Sequence, residues 1–314
     1  MRLVFPALAL AIVLGFGSVS LAGQSVEWVT IETDKNVLSV SLPKDFIVTA
    51  ESERFFERKT LYAFADGVQI EFSAVKSAGL PAKANLARVR LDKDRDPKIL
   101  DFEFEGLPGK YITYKKSGWQ TKILVASNDW YYRVELSAES AESEAVLRVL
   151  NSIRIKGKQF LSARGMNSTP PSEIIALKSL KESPEIDEAL KQKQPKYEAE
   201  VFYEPLAEFK PCPANSGVRP AVLAESLKPA MTFSPMNVKE GGEIRVQYDL
   251  HADGRVGDIR IYSDVDRSVL RGYADAAKKL RFLPAQKAGV AVDWCDTLWS
   301  AFDITISTRI ITVR

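Results

Sequence analysis

The chain is poor in the side chains that most chemistry needs. Among 314 residues there is one histidine, His251, and there are two cysteines, Cys212 and Cys295. A lone imidazole with no nucleophile at a recognisable spacing offers no triad, and with no Cys/His cluster it offers no metal-ligand set. Net charge is scarce too. Forty-three Lys and Arg against 41 Asp and Glu leave a formal +2, which gives no electrostatic case for a nucleic-acid partner. Glycine-rich phosphate loops are missing: in "GLPGKYIT" Gly106 and Gly109 stand too close together, and Tyr111 follows Lys110 where Ser or Thr would hold magnesium. These absences point away from an enzyme, a metal or a cofactor. What remains, 46% hydrophobic and 27% charged residues, describes a soluble globular protein long enough for two domains.

The first stretch, "MRLVFPALALAIVLGFGSVSLAGQS", has one Arg, an apolar core and small residues at its end. Ser20-Leu21-Ala22 fits a signal-peptidase site, so residues 1–22 read as a cleaved signal peptide and the rest as periplasmic. The alternative is an uncleaved inner-membrane anchor facing the periplasm, since the apolar run approaches spanning length. Leu21-Ala22-Gly23 is followed by Gln24, so no thiol stands there to carry lipid. Export favours a disulfide between Cys212 and Cys295; the alternative is two separate buried thiols.

Beyond residue 26 the period is mostly two. "WVTIE", "VLSVSLP" and "TLYAFADGVQIEFSAV" read as strands, the last a hairpin turning at Asp66-Gly67. "KILDFEFEG", "KYITYKK", "WQTKILVAS" and "WYYRVELSA" follow, separated by turn residues. Leu86, Val89 and Leu91 suggest a short helix, and "SAESEAVLRVLNSIRI" a second with Val146, Leu147 and Leu150 at helical spacing. Strands with helices at intervals predict an α+β fold. The Trp119, Trp130, Tyr131 and Tyr132 group suggests sheet packing before a ligand pocket.

From "LSVSLPKDF" to "VLRVLNSIRI", this segment (24–156) resembles the PsbP/Mog1-like α/β/α family, which implies an antiparallel-sheet sandwich. Residues 157–200, polar and then charged around Pro170-Pro171 and Pro184, read as a partly helical linker. In 201–314, "IRVQYDLHADGRVGDIRIYS", "LRGYADAAKKL", "RFLPA", "KAGVAV" and "FDITI" occur in the order strand, strand, helix, strand. That order and those segments resemble the TonB C-terminal domain family. The resemblance implies a small β-β-α-β domain that binds partner peptides by pairing them with an edge strand, here a closing strand on which Asp303, Thr305 and Ser307 share a face. The partner expected is a periplasmic or outer-membrane protein. The alternative is an energy transducer for outer-membrane transport, anchored by the uncleaved segment. Two departures weigh against it: no long Pro-rich spacer, and no polar residue in the apolar segment to engage a proton-driven motor.

Overall fold

A computed structural model describes residues 26–53, 56–77, 82, 86, 97–115, 118–128, 130–161, 171, 173–191, 199–213, 217–224, 242–265, 267–302, 305–307 and 310–312. The expected signal peptide, and most of the helix expected around Leu86, lie outside them.

In chain order the first strands are β1 (Trp28–Glu32), β2 (Leu38–Pro43), β3 (Phe46–Glu53), β4 (Phe56–Ala65) and β5 (Val68–Ser77). They are followed by β6 (Lys98–Phe104), β7 (Leu107–Lys115), β8 (Trp119–Ser127) and β9 (Trp130–Ala138). Helix α1 (Glu144–Ser152) leads to β10 (Arg154–Ile155), β11 (Lys158–Gln159) and β12 (Ile174–Ala176). Next come α2 (Pro184–Lys191), β13 (Val201–Glu204), β14 (Val218–Arg219), β15 (Val222–Leu223), β16 (Gly242–Leu250) and β17 (Val256–Ser263). The chain continues through α3 (Arg267–Ala277), β18 (Phe282–Leu283), β19 (Ala285–Lys287), β20 (Val290–Val292) and β21 (Trp294–Phe302). A terminal hairpin is formed by β22 (Thr305–Ser307) and β23 (Ile310–Thr312).

The largest sheet has seven antiparallel strands in the order β3-β4-β5-β9-β8-β7-β6. Strand β5 shows why it forms: Val68, Ile70, Phe72 and Ala74 are buried on one face, while Gln69, Glu71 and Ser73 take the other. Its hairpin with β4 turns at Asp66 and Gly67, both at positive φ (49° and 75°), the geometry that a two-residue hairpin loop demands. The inner face packs on β1, β2 and α1 in one core that includes Val29, Leu42, Phe72, Val134 and Val149. Helix α1 begins where Ser143 Oγ accepts from the Val146 N–H (3.4 Å). On the opposite face the helical residues Ala82 and Leu86 are buried with Ile112, Leu124 and Ala126.

A second sheet, β13-β17-β16-β21, packs its inner residues Ile244, Val246, Tyr248, Ile259 and Ile261 against Leu270, Tyr273 and Ala277 of α3. The order strand, strand, helix, strand is present here, with the short β18 to β20 inserted before the last strand.

The α+β fold in two domains, an antiparallel sandwich followed by a β-β-α-β domain, is corrected by this architecture. The chain is mostly β, in several sheets, and its three labelled helices have nine, eight and eleven residues. Short helices plug sheet faces without forming layers of their own. Nor is the pairing all antiparallel: β12 runs parallel to β1, and β13 parallel to β17. The stretch read as a linker thus lends β12 to the first core. It also lends Ile186 and Ala189 of α2, which are buried with Ile47 of β3 and with Val222 and Ala224.

Candidate functional site

Strand β21 ends its sheet. It pairs with β16 over nine residue pairs, from Gly242 opposite Phe302 to Leu250 opposite Trp294, and among the described residues no strand occupies its other side. Alternation divides its residues. Asp296 lies opposite Tyr248 on the α3 side, and Cys295 and Thr297 lie opposite Asp249 and Gln247 on the outer side. Tyr248 is fully buried; burial and then the Asp296 carboxylate, which faces the hydroxyl, push its pKa well above the ordinary phenol value. The same carboxylate accepts the backbone N–H of Thr297 (2.7 Å). One edge amide is therefore matched to a side chain of its own strand.

The outer face is crossed by residues 206–212. Phe209 meets Tyr262 edge-on (5.2 Å between centroids), with the Arg245 guanidinium 4.5 Å over its ring. Gln247 Nε2 donates to Lys210 O (2.9 Å). Cys212 and Cys295 are joined, Sγ to Sγ 2.05 Å and Cα to Cα 5.6 Å, so this strap is tied to the edge strand itself. A strand gripped by a neighbour on one side, a helix below and a covalent strap above is a stiff edge that presents backbone donors and acceptors.

The residues expected to carry binding sit differently. Asp303 lies outside the described residues. Thr305 and Ser307 fall in β22, where they pair with Thr312 and Ile310. The closing strand is expected to run on through them; the long strand is Trp294–Phe302, and Thr305–Ser307 pairs instead with Ile310–Thr312. The open edge is therefore 294–302. The parallel strand β13 at the far side of the sheet also escaped sequence reasoning; "VFYE" is the only signal for it, too short to show a period.

His251 lies at the hairpin mouth, 40% exposed, with Nδ1 3.8 Å from Asp293 Oδ1. Among the described residues no three His, Cys, Asp or Glu gather as a metal site. Also among them, no helix is long and apolar enough to cross a membrane. In the aromatic group, Tyr132 is buried in the main core with Trp130 stacked nearby (6.3 Å), and Tyr131 packs on the other face. Burial pushes the phenols of Tyr131 and Tyr132 up to about 12.

No family model matches the chain, and no curated protein matches it. Among solved structures, it is similar to the solution structure of cyanobacterial PsbP (CyanoP) from Synechocystis sp. PCC 6803. That match has a TM-score of 0.29 and 10% identity, and covers 45% of this chain and 98% of that one.

Proposed function

We propose that this chain is an exported, non-enzymatic protein of the bacterial cell envelope that holds a protein partner by strand addition. The observation that carries the reading is the open side of β21, a nine-residue strand paired only with β16 among the described residues. An added strand gains main-chain hydrogen bonds along such an edge, and alternate side-chain positions select its sequence. Strand addition is what the sequence's resemblance to the TonB C-terminal domain family implies, and the signal-like first 22 residues support a periplasmic location.

The test uses Thr297→Pro. Its N–H donates to a side chain of its own strand, so the substitution removes an edge donor and puts a ring on the edge. Envelope proteins captured by the parent chain should be lost by this variant, while its circular dichroism stays unchanged. In the captured complex, amide exchange should slow at alternate residues of 294–302. Protection confined to another strand, or undiminished capture by the variant, would rule this edge out.

A further inference from the structure

The open edge of β21 carries charge of one sign. From Asp293 to Asp303 the chain reads "DWCDTLWSAFD", with three acids and no Lys, Arg or His. Within the strand itself the only charged residue is Asp296, on the α3 side. Lys210 belongs to the strap on the outer side, so the sheet stands between it and Asp296. The other cations of that outer face are engaged there, Arg245 by Glu243 and Arg260 by Asp249 (3.2 Å).

The bond that Asp296 makes adds to what its charge does. Its Oδ1 accepts the edge amide of Thr297 (2.7 Å). A strand added to this edge brings a carbonyl that competes for the same N–H. The carboxylate, half-buried beside the fully buried Tyr248, then loses a charge-assisted donor, and such a loss is costly. A Lys or Arg on the added strand, with its side chain on the α3 side, returns a donor and balances the charge. A neutral side chain there leaves the carboxylate short, and an acidic one repels it.

We propose that the segment added to β21 is basic, with a Lys or Arg beside Asp296, and that Asp296 guards the edge in the free chain and selects its occupant. The inference rests on strand addition at β21 and names the chemistry of the partner, an extended cationic segment of another protein.

The experiment selects random nine-residue segments displayed on phage against the full chain, against Asp296→Asn and against Thr297→Pro. Segments that the full chain retains and Thr297→Pro loses should be enriched in Lys or Arg at one position. Those retained by Asp296→Asn should lack that enrichment. In the strongest segment, made as a free peptide, Gln in place of that Lys or Arg should weaken binding to the full chain about fivefold, and Glu should weaken it further. On Asp296→Asn the replacement by Gln should change affinity by less than about twofold, the signature of a direct pair. The cost of that replacement on the full chain should also shrink between about 0.05 M and about 0.5 M salt, which tests the pairing without a variant of Asp296. Edge-dependent segments with no basic enrichment, a cost equal on the full chain and Asp296→Asn, or a cost indifferent to salt would overturn this proposal and leave strand addition standing. A full chain that retains no segment sensitive to Thr297→Pro would overturn both.

Discussion

At Glu71 two opposing effects meet. Burial alone would raise its pKa, but the Arg133 guanidinium, the Ser73 hydroxyl (2.8 Å) and the Lys122 ammonium together hold the carboxyl below the usual range. Arg133 also reaches Glu135 (3.8 Å), which Lys122 pairs at 2.7 Å, so the four charges on this face balance. A depressed folded pKa means stability that is fully present above the unfolded value, about 4.3, and lost as pH falls through the folded value. Glu71→Gln should therefore flatten the acid limb of a stability–pH curve measured by urea melts. It should also cost about 1–3 kcal/mol at neutral pH by leaving Arg133 short of its acceptor. An acid limb of unchanged slope would show that the pair contributes nothing. Two glycines at this scale illustrate what a sequence hides. "GLPGKYIT" reads as a failed phosphate loop, and its glycines answer to other demands. Gly106 sits at φ 73° in the β6–β7 turn, and a Cβ on Gly109 would lie 2.5 Å from Leu124 O.

Elements were legible where one face is wet. Strands β5 and β9 alternate cleanly because their outer residues are polar, and α1 declared itself by Ser143 and the spacing of Val146 and Leu150. Strand β3 was not legible. Ile47 is buried against α2 and Val48 against the main core, so both faces are apolar and the period of two vanishes. Strands β12 and β13 are three and four residues long and pair in parallel with distant partners, which no local pattern encodes. The open edge was half legible: the cysteines pointed to the strap, but the end of β21 at Phe302 did not show in "FDITI". The bond between Cys212 and Cys295 spans 83 residues of sequence, and such a closure stabilises by about 4–5 kcal/mol on loop-entropy grounds alone. The edge-on contact of Phe209 with Tyr262 and the Gln247 contact to Lys210 hold the strap without it. The Cys212→Ser, Cys295→Ser double variant should thus stay folded by circular dichroism yet lose about 2–5 kcal/mol in a urea melt. A loss under about 1 kcal/mol would mean that the strap is held by its aromatic and hydrogen-bond contacts without the disulfide.

The whole molecule turns on how its two large cores are joined. Residues 157–200 read as a linker because no apolar face there is long enough to make a core. That reading of composition overlooked that a short helix can complete a core made by others. Ile186, fully buried, touches neither sheet's main core but lies in a cluster with Ile47 from β3 on one side and Val222 and Ala224 on the other. The Ser183 hydroxyl accepts from the Val48 N–H (2.9 Å), and Ser183 N–H donates to Val48 O (3.0 Å), fixing the start of α2 to the sheet. Cohesion of this kind couples unfolding. Urea denaturation of the parent chain should show one transition, with amides of β4 and β17 losing protection together. Ile186→Asp puts a carboxylate among apolar groups with no partner and should cost about 2–5 kcal/mol. If the cluster is what couples the cores, the variant should unfold in two steps, one reported by β4 amides and the other by β17 amides. A single, merely shifted transition in the variant would assign the coupling to other contacts between the sheets, and two transitions in the parent would show that the cluster couples nothing.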